Sequence, residues 1–161
     1  MKKLILIRHA KSGWEASLRD FDRPLTKTGI HDAHLVSSNV VNDFPKSFLV
    51  WSSASKRASE TAMIFAQNIL FPVENIVYKN ELYTFDCEKL EQIIKSCPND
   101  YDNLILFGHN EAITNFVNKF GDIFIDNIST SGFVSIVFEN NSWNTIKKGK
   151  TIKVIFTKDL K

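Results

Sequence analysis

The chain has 161 residues, 43% of them hydrophobic and 24% charged, with a formal net charge of +2 at pH 7. That balance is ordinary for a soluble globular protein, too weakly basic to argue for nucleic acid, and no apolar run approaches transmembrane length. The length fits one domain over residues 1–161, and Lys2-Lys3 followed by a short apolar run lacks the features of a signal peptide, so the cytoplasm is the expected location.

The four aliphatics Leu4-Ile5-Leu6-Ile7 leave no position for a wet face, so they predict a strand covered on both sides, as at the centre of an α/β sheet. The run stops at Arg8-His9, at the carboxyl end of the strand, where ligands of such sheets bind. Neighbours on a regular strand point to opposite faces, so for both to reach one ligand the chain must already be turning there, helped by Gly13. From Trp14 to Thr28, Asp20, Asp22, Arg23 and Pro24 favour a loop. A helix is predicted from about Gly29 to Phe44, with Ile30, Ala33, Ser37, Val40, Val41 and Phe44 facing inward and Pro45 ending it.

Phe48-Leu49-Val50-Trp51 is a second short strand, and after Ser52 to Arg57 the spacing Ala58, Thr61, Ala62, Phe65, Ala66, Ile69 marks one face of a helix. Arg57 therefore stands in a first helical turn directly after a strand, a place suited to an anion. Ile76-Val77-Tyr78 reads as a short strand and Asn80 to Phe85 as a loop. Asp86 then caps a helix with the stripe Leu90, Ile93, Ile94, Cys97, ended by Pro98. Cys87 and Cys97 on one helix would lie about 15 Å apart, beyond disulfide reach, so both are expected reduced. Asn103 to Phe107 is a third buried run, ending in Gly108-His109-Asn110. Ile113, Phe116, Val117 and Phe120 follow as a helix closed by Gly121. Phe133 to Phe138 and Ile152 to Thr157 are β-rich and expected at the sheet edge, antiparallel to its centre. The lysines there (Lys147, Lys148, Lys150, Lys153, Lys158, Lys161) read as a solvated face, with a docking surface for an acidic partner as the minor alternative.

Three strand-to-helix junctions thus present Arg8 with His9, Arg57, and His109. If the three strands are neighbours in one parallel sheet, the four side chains meet at one rim and suit a doubly charged tetrahedral anion, because the arginine fork pairs with phosphate oxygens. No Walker-type glycine loop is present to indicate nucleoside triphosphate chemistry. His9 beside Arg8 has the makings of a nucleophile on phosphorus, with the arginines offsetting charge on the equatorial oxygens.

The sequence resembles the histidine phosphatase superfamily, and within it the short SixA-type phosphohistidine phosphatases. Leu4 to Ser12 matches the opening motif, with Ala10-Lys11 after the histidine where phosphoglycerate mutases have glycine and glutamate. Arg23-Pro24-Leu25-Thr26 with Gly29, Ser52-Ser53 with Arg57-Ala58 and Thr61-Ala62, Leu82-Tyr83, and Gly108-His109-Asn110 match further blocks in order, over nearly the whole chain. The resemblance implies a phosphoglycerate mutase-like, three-layer α/β/α sandwich with a mostly parallel sheet. It implies His9 as the phosphorylated nucleophile, Arg8, Arg57 and His109 as the phosphate pocket, and Ser12 as a nearby donor, with no cofactor and no metal.

Larger relatives place a glutamate after the middle strand as general acid. Glu81 lies in that region but lacks their surrounding pattern, so a solvated loop carboxylate is an equal alternative. Expelling an alkoxide calls for proton donation, worth roughly 10²–10⁴-fold in rate, whereas phosphohistidine releases the better leaving group imidazole. Loose evidence for an acid and a chain too short for an inserted lid therefore tilt the expectation toward a phosphorylated partner protein, such as a histidine phosphotransfer domain. The alternatives are a phosphomonoesterase acting on a small metabolite and a non-catalytic phosphohistidine-binding module. His31 and His34 have helical spacing but no third metal ligand. His34 is expected beside the core stripe and His31 in solvent.

Overall fold

The computed structural model describes residues 1–161. Its six strands are β1 (Lys2–Arg8), β2 (Leu49–Ser53), β3 (Val77–Lys79), β4 (Asn103–Gly108), β5 (Phe133–Phe138) and β6 (Lys150–Ile155). They form one sheet in the order β3-β2-β4-β1-β5-β6. The first four strands in that order are parallel, while β5 runs antiparallel to β1 and β6 antiparallel to β5. The helices are α1 (Lys27–Asn39), α2 (Lys56–Asn68), α3 (Cys87–Lys95) and α4 (Ala112–Phe120).

Alternation along β1 sorts its side chains between two cores. Ile5 and Ile7 pack with Ala33 and Val36 of α1 and Ala62 and Phe65 of α2, and Leu4 and Leu6 pack with Leu90 and Ile94 of α3 and Ile113, Phe116 and Val117 of α4. All four are 0% exposed, which is why the run is unbroken by a polar residue. Full burial of each such side chain is worth about 1.5–3 kcal/mol. The result is the expected three-layer sandwich around a mostly parallel sheet. No helix is long and apolar enough to cross a membrane.

Several local expectations shift. α1 starts earlier, capped by the Thr26 hydroxyl on the Gly29 N–H, and ends at Asn39, followed by a separate 3-10 turn at Val41–Asp43. Its inward residues are Gly29, Ala33, Val36 and Ser37, while Ile30 and Val41 are exposed. The cause is a close approach: a Cβ on Gly29 would lie 2.1 Å from the Lys11 carbonyl oxygen, so this face of the helix is pressed against the chain after β1 and Ile30 is turned outward. The same rotation leaves His34 exposed rather than beside the core, with Nδ1 3.1 Å from Asn68 Nδ2. Cys97 lies beyond the end of α3, and both cysteines are free. β5 is interior to the sheet, so β6 alone forms that edge.

Candidate functional site

The register of the two central strands builds the site. Arg8 on β1 pairs with Gly108 on β4, so the next residues, His9 and His109, emerge side by side with ring centroids 5.2 Å apart. The His9 N–H still donates to Gly108 O at 3.1 Å, while Ser131 N–H donates to the Arg8 and His9 carbonyls at 3.1 and 3.2 Å. On the other flank of β4, β2 ends at Ser53 and passes into α2. Ser55 caps that helix by accepting from Ala58 N–H, and Arg57 occupies its first turn.

The orientation of His9 follows from its two neighbours. Nδ1 is 2.7 Å from Ala10 O, which can only accept, so Nδ1 carries the proton and Nε2 the lone pair. Arg57 Nε–H lies 3.4 Å from that Nε2. Burial is the main influence lowering the His9 pKa to about 4; the Ala10 hydrogen bond opposes it and Arg57, Arg8 and Arg23 reinforce it. The ring is therefore neutral at pH 7. His109, 1% exposed, is lowered to about 3, again chiefly by burial and then by His9 and Arg57. Its Nε2 is 2.9 Å from Ser53 Oγ and 3.3 Å from Ser55 Oγ.

Arg57, 3% exposed, is held by Asp20, donating from Nη1 to the backbone oxygen at 2.6 Å and from Nη2 to Oδ2 at 2.9 Å. Asp20 also accepts from Arg23 Nη1 at 2.8 Å and from the Tyr83 hydroxyl. Burial would raise its pKa, but the hydrogen bonds from Tyr83, Arg57 and Arg23 prevail and hold it at about 2. Arg23 closes the loop on itself, donating to Gly13 O at 2.9 Å and to Ser12 Oγ at 2.5 Å, with its guanidinium 3.6 Å from the centre of the Trp14 ring. Arg8 donates from Nη1 to Ile128 O at 2.8 Å; burial first, then Arg57, lowers its pKa.

Arg8 Nε, His109 Nδ1 and Ser131 Oγ are buried without a partner. An orphaned buried polar atom costs roughly 1–3 kcal/mol, and these three belong to residues that adjoin His9, so a ligand rich in acceptor oxygens beside His9 would relieve them. Ser131 also has φ 63°, in the left-handed region that is costly for a serine. With two arginines, two neutral imidazoles and a helix N-terminus, this cluster can take a tetrahedral oxyanion and present it to an imidazole lone pair. No group of three or more His, Cys, Asp or Glu side chains forms a metal-binding cluster.

Of the residues singled out from the sequence, Arg8, His9, Arg57 and His109 come together at this rim. Ser12 is tied to it through Arg23. Glu81 is exposed in the 3-10 turn at Asn80–Leu82, without a side-chain hydrogen bond or ion pair. The carboxylate that meets the cluster is Asp20, read from the sequence only as a loop former. Arg23 and Tyr83 stood out as parts of matching blocks, but their link through Asp20 joins residues 37 and 63 positions apart and leaves no local pattern.

A family model for the histidine phosphatase superfamily (branch 1) matches residues 4–123. An uncharacterized chloroplastic protein of Arabidopsis thaliana is 35% identical over 120 residues, 69% of this chain and 55% of that protein, so the match spans about half the length of that relative. Among solved structures, the protein histidine phosphatase SixA complexed with tungstate superposes with a TM-score of 0.83 at 18% identity, covering 99% of each chain. A chain designated a SixA phosphohistidine phosphatase from Agrobacterium tumefaciens gives 0.79 at 21% identity, over 96% of this chain and 97% of that one. A mycobacterial glucosyl-3-phosphoglycerate phosphatase gives 0.65 at 11% identity, over 93% and 96%. At these identities the structural matches show the shared fold.

Proposed function

The chain belongs to the histidine phosphatase superfamily, and from that premise we propose that it removes phosphate from phosphohistidine on a partner protein through a covalent phosphohistidine on His9. The observation that carries this reading is the state of His9: its proton is committed to Ala10 O, its Nε2 lone pair is met only by the long Arg57 Nε–H contact at 3.4 Å, and His109 stands beside it. In the first step Nε2 attacks phosphorus in line and the P–N bond to the substrate imidazole breaks, its electron pair leaving with that ring. A substrate phosphohistidine protonated on its other nitrogen departs as neutral imidazole, so no enzyme acid is needed. Arg8 and Arg57 offset charge on the equatorial oxygens, His109 Nδ1 and Ser131 Oγ supply further contacts, and Ser12 keeps Arg23 in place. In the second step water attacks phosphorus, the P–Nε2 bond breaks with its pair returning to His9, whose Nδ1 keeps its proton, and both protons of water leave with the product as dihydrogen phosphate. The tungstate held by the SixA structure, a tetrahedral oxyanion, supports the same class of ligand here.

The nature of the carboxylates favours the P–N substrate. Asp20, held at about 2, is ionised at neutral pH and has no proton to give an alkoxide. A second reading, hydrolysis of a small phosphoester, draws on a groove of about 430 Å³ where Glu81 lies with Tyr83, Thr84 and Lys89. There Glu81 would be the proton donor, and Glu81→Gln would slow ester hydrolysis while sparing phosphohistidine. The decisive experiment is phosphate release from a phosphorylated histidine-carrier protein. The wild-type chain is expected to release phosphate and to pass through an acid-labile phosphoenzyme, and His9→Ala to lose both. Undiminished release by His9→Ala overturns the mechanism, and binding of the phosphoprotein without release by the wild type would mark a recognition module instead.

A further inference from the structure

Two features beside the rim take no part in that chemistry. The first is a depression of about 350 Å³ lined entirely by polar and charged residues, with Lys11, Lys158 and Lys161 around Ser129 and Thr130. It adjoins the candidate site along the chain: Lys11 is two residues beyond His9, and Ser129-Thr130 lies between Ile128, which accepts from Arg8, and Ser131, which donates to Arg8 and His9. Asp32 pairs with Lys161 at 2.9 Å, while Lys11 and Lys158 have no ion-pair partner. The depression therefore keeps a net positive charge in a concave wall built on the loops that leave β1 and lead into β5, the same loops that carry His9 and Ser131. The second feature is aromatic. Trp14 is 78% exposed yet lies flat on Arg23, and Phe85 is 51% exposed with its ring 5.4 Å from that of His109. Large rings held in place by a neighbour lose little freedom on docking and commonly anchor protein interfaces.

Resting on the reading above, we propose that the Lys11–Lys158–Lys161 depression, with Trp14 and Phe85 on the rim, is the docking surface for an acidic protein face whose carboxylates flank the phosphohistidine. A carboxylate there meets lysines without displacing an existing ion pair, at least at Lys11 and Lys158. The complementary charge speeds encounter and fixes the partner's register, so that the phosphorylated imidazole arrives over His9. The other end of the same β5–β6 edge makes an internal control, because Lys148 and Lys150 line a separate depression there, at the start of β6, with Met1 and Glu139.

The test compares two substrates, a phosphorylated histidine-carrier protein with an acidic surface and phosphoramidate, which carries the P–N bond alone. The double variant Lys11→Glu/Lys158→Glu is expected to raise KM for the phosphoprotein about tenfold or more, because mutated rim charges act on encounter, with kcat and the phosphoramidate rate unchanged. Trp14→Ala is expected to raise the same KM, and Lys148→Glu/Lys150→Glu to leave it as it was. The intact phosphoramidate rate shows that each variant is folded. An unchanged phosphoprotein KM in the double variant, an equal loss on phosphoramidate, or an equal effect of the Lys148/Lys150 pair overturns the docking surface while the proposed function stands. Cleavage of phosphoramidate but of no phosphoprotein by the wild type overturns both.

Discussion

At the amino end of β1 the Lys2 ammonium, buried with the residue 1% exposed, donates to Asn99 O at 2.8 Å, Tyr101 O at 3.2 Å and Asp102 Oδ1 at 3.0 Å. At the carboxyl end of the same strand Arg8 reaches Ile128 O with one nitrogen, and its Nε meets nothing, as do His109 Nδ1 and Ser131 Oγ nearby. Both ends withdraw a cationic side chain from water at the cost of desolvation, Lys2 fully and Arg8 in part. Lys2 recovers that cost by using all three of its donors and so acts as a clasp between β1 and the Asn99–Asp102 turn. The other end leaves its donors open, which lowers stability and is reasonable only where a ligand fills them. Burial of charge alone therefore does not mark a functional site in this protein; the pattern of satisfaction does.

Exchanging each cation for an apolar side chain of similar length tests that distinction. Arg8→Met should lower kcat by about 10²–10³-fold, as loss of one preorganised donor to a developing oxyanion does, while leaving the thermal midpoint unchanged or higher. Lys2→Met should do the reverse, costing about 2 kcal/mol in a denaturant titration because carbonyls of the Asn99–Asp102 turn lose their donor, with turnover unaffected. If Lys2→Met impaired catalysis or Arg8→Met unfolded the chain, the comparison would break.

A smaller effect separates the ends by pH. Burial lowers His9 and His109 to about 4 and about 3 in the folded state, from the ordinary histidine value of 6.5. As pH falls below 6.5 the unfolded chain takes up these protons and the folded chain does not, so stability declines from about pH 6.5 toward pH 4. Calorimetry should show the decline, and His109→Gln should flatten it. For the free enzyme, kcat/KM should hold through pH 5 and bend downward only near 4, where His9 Nε2 takes a proton.

Much of this architecture is written in local patterns. Leu4 to Ile7 reads as a doubly covered strand because both faces of β1 are packed, and the Asp86 cap of α3 and the Gly121 end of α4 need only neighbouring residues. The junctions bearing Arg8-His9, Arg57 and His109 are visible for the same reason, since an apolar run giving way to polar residues and then to helical spacing is a signal of period and punctuation. The helix limits are less so: α1 is turned by the approach of Gly29 to Lys11, eighteen residues away, which hydrophobic periodicity does not register.

Which elements exist, and which ionisable residues stand at their ends, can thus be read along the chain, because hydrophobic period, capping and turn chemistry act over a few residues. What those ends meet depends on how the elements pack. Strand order β2-β4-β1 and the pairing of Arg8 with Gly108 set His9 against His109. Folding of the loop from Ser12 to Leu25 brings Asp20 onto Arg57, Arg23 and Tyr83, and packing of the C-terminal turn brings Lys158 and Lys161 to Lys11. These contacts join groups up to 150 positions apart in the chain, and attraction between charges depends on their separation in space, which no spacing along the sequence encodes.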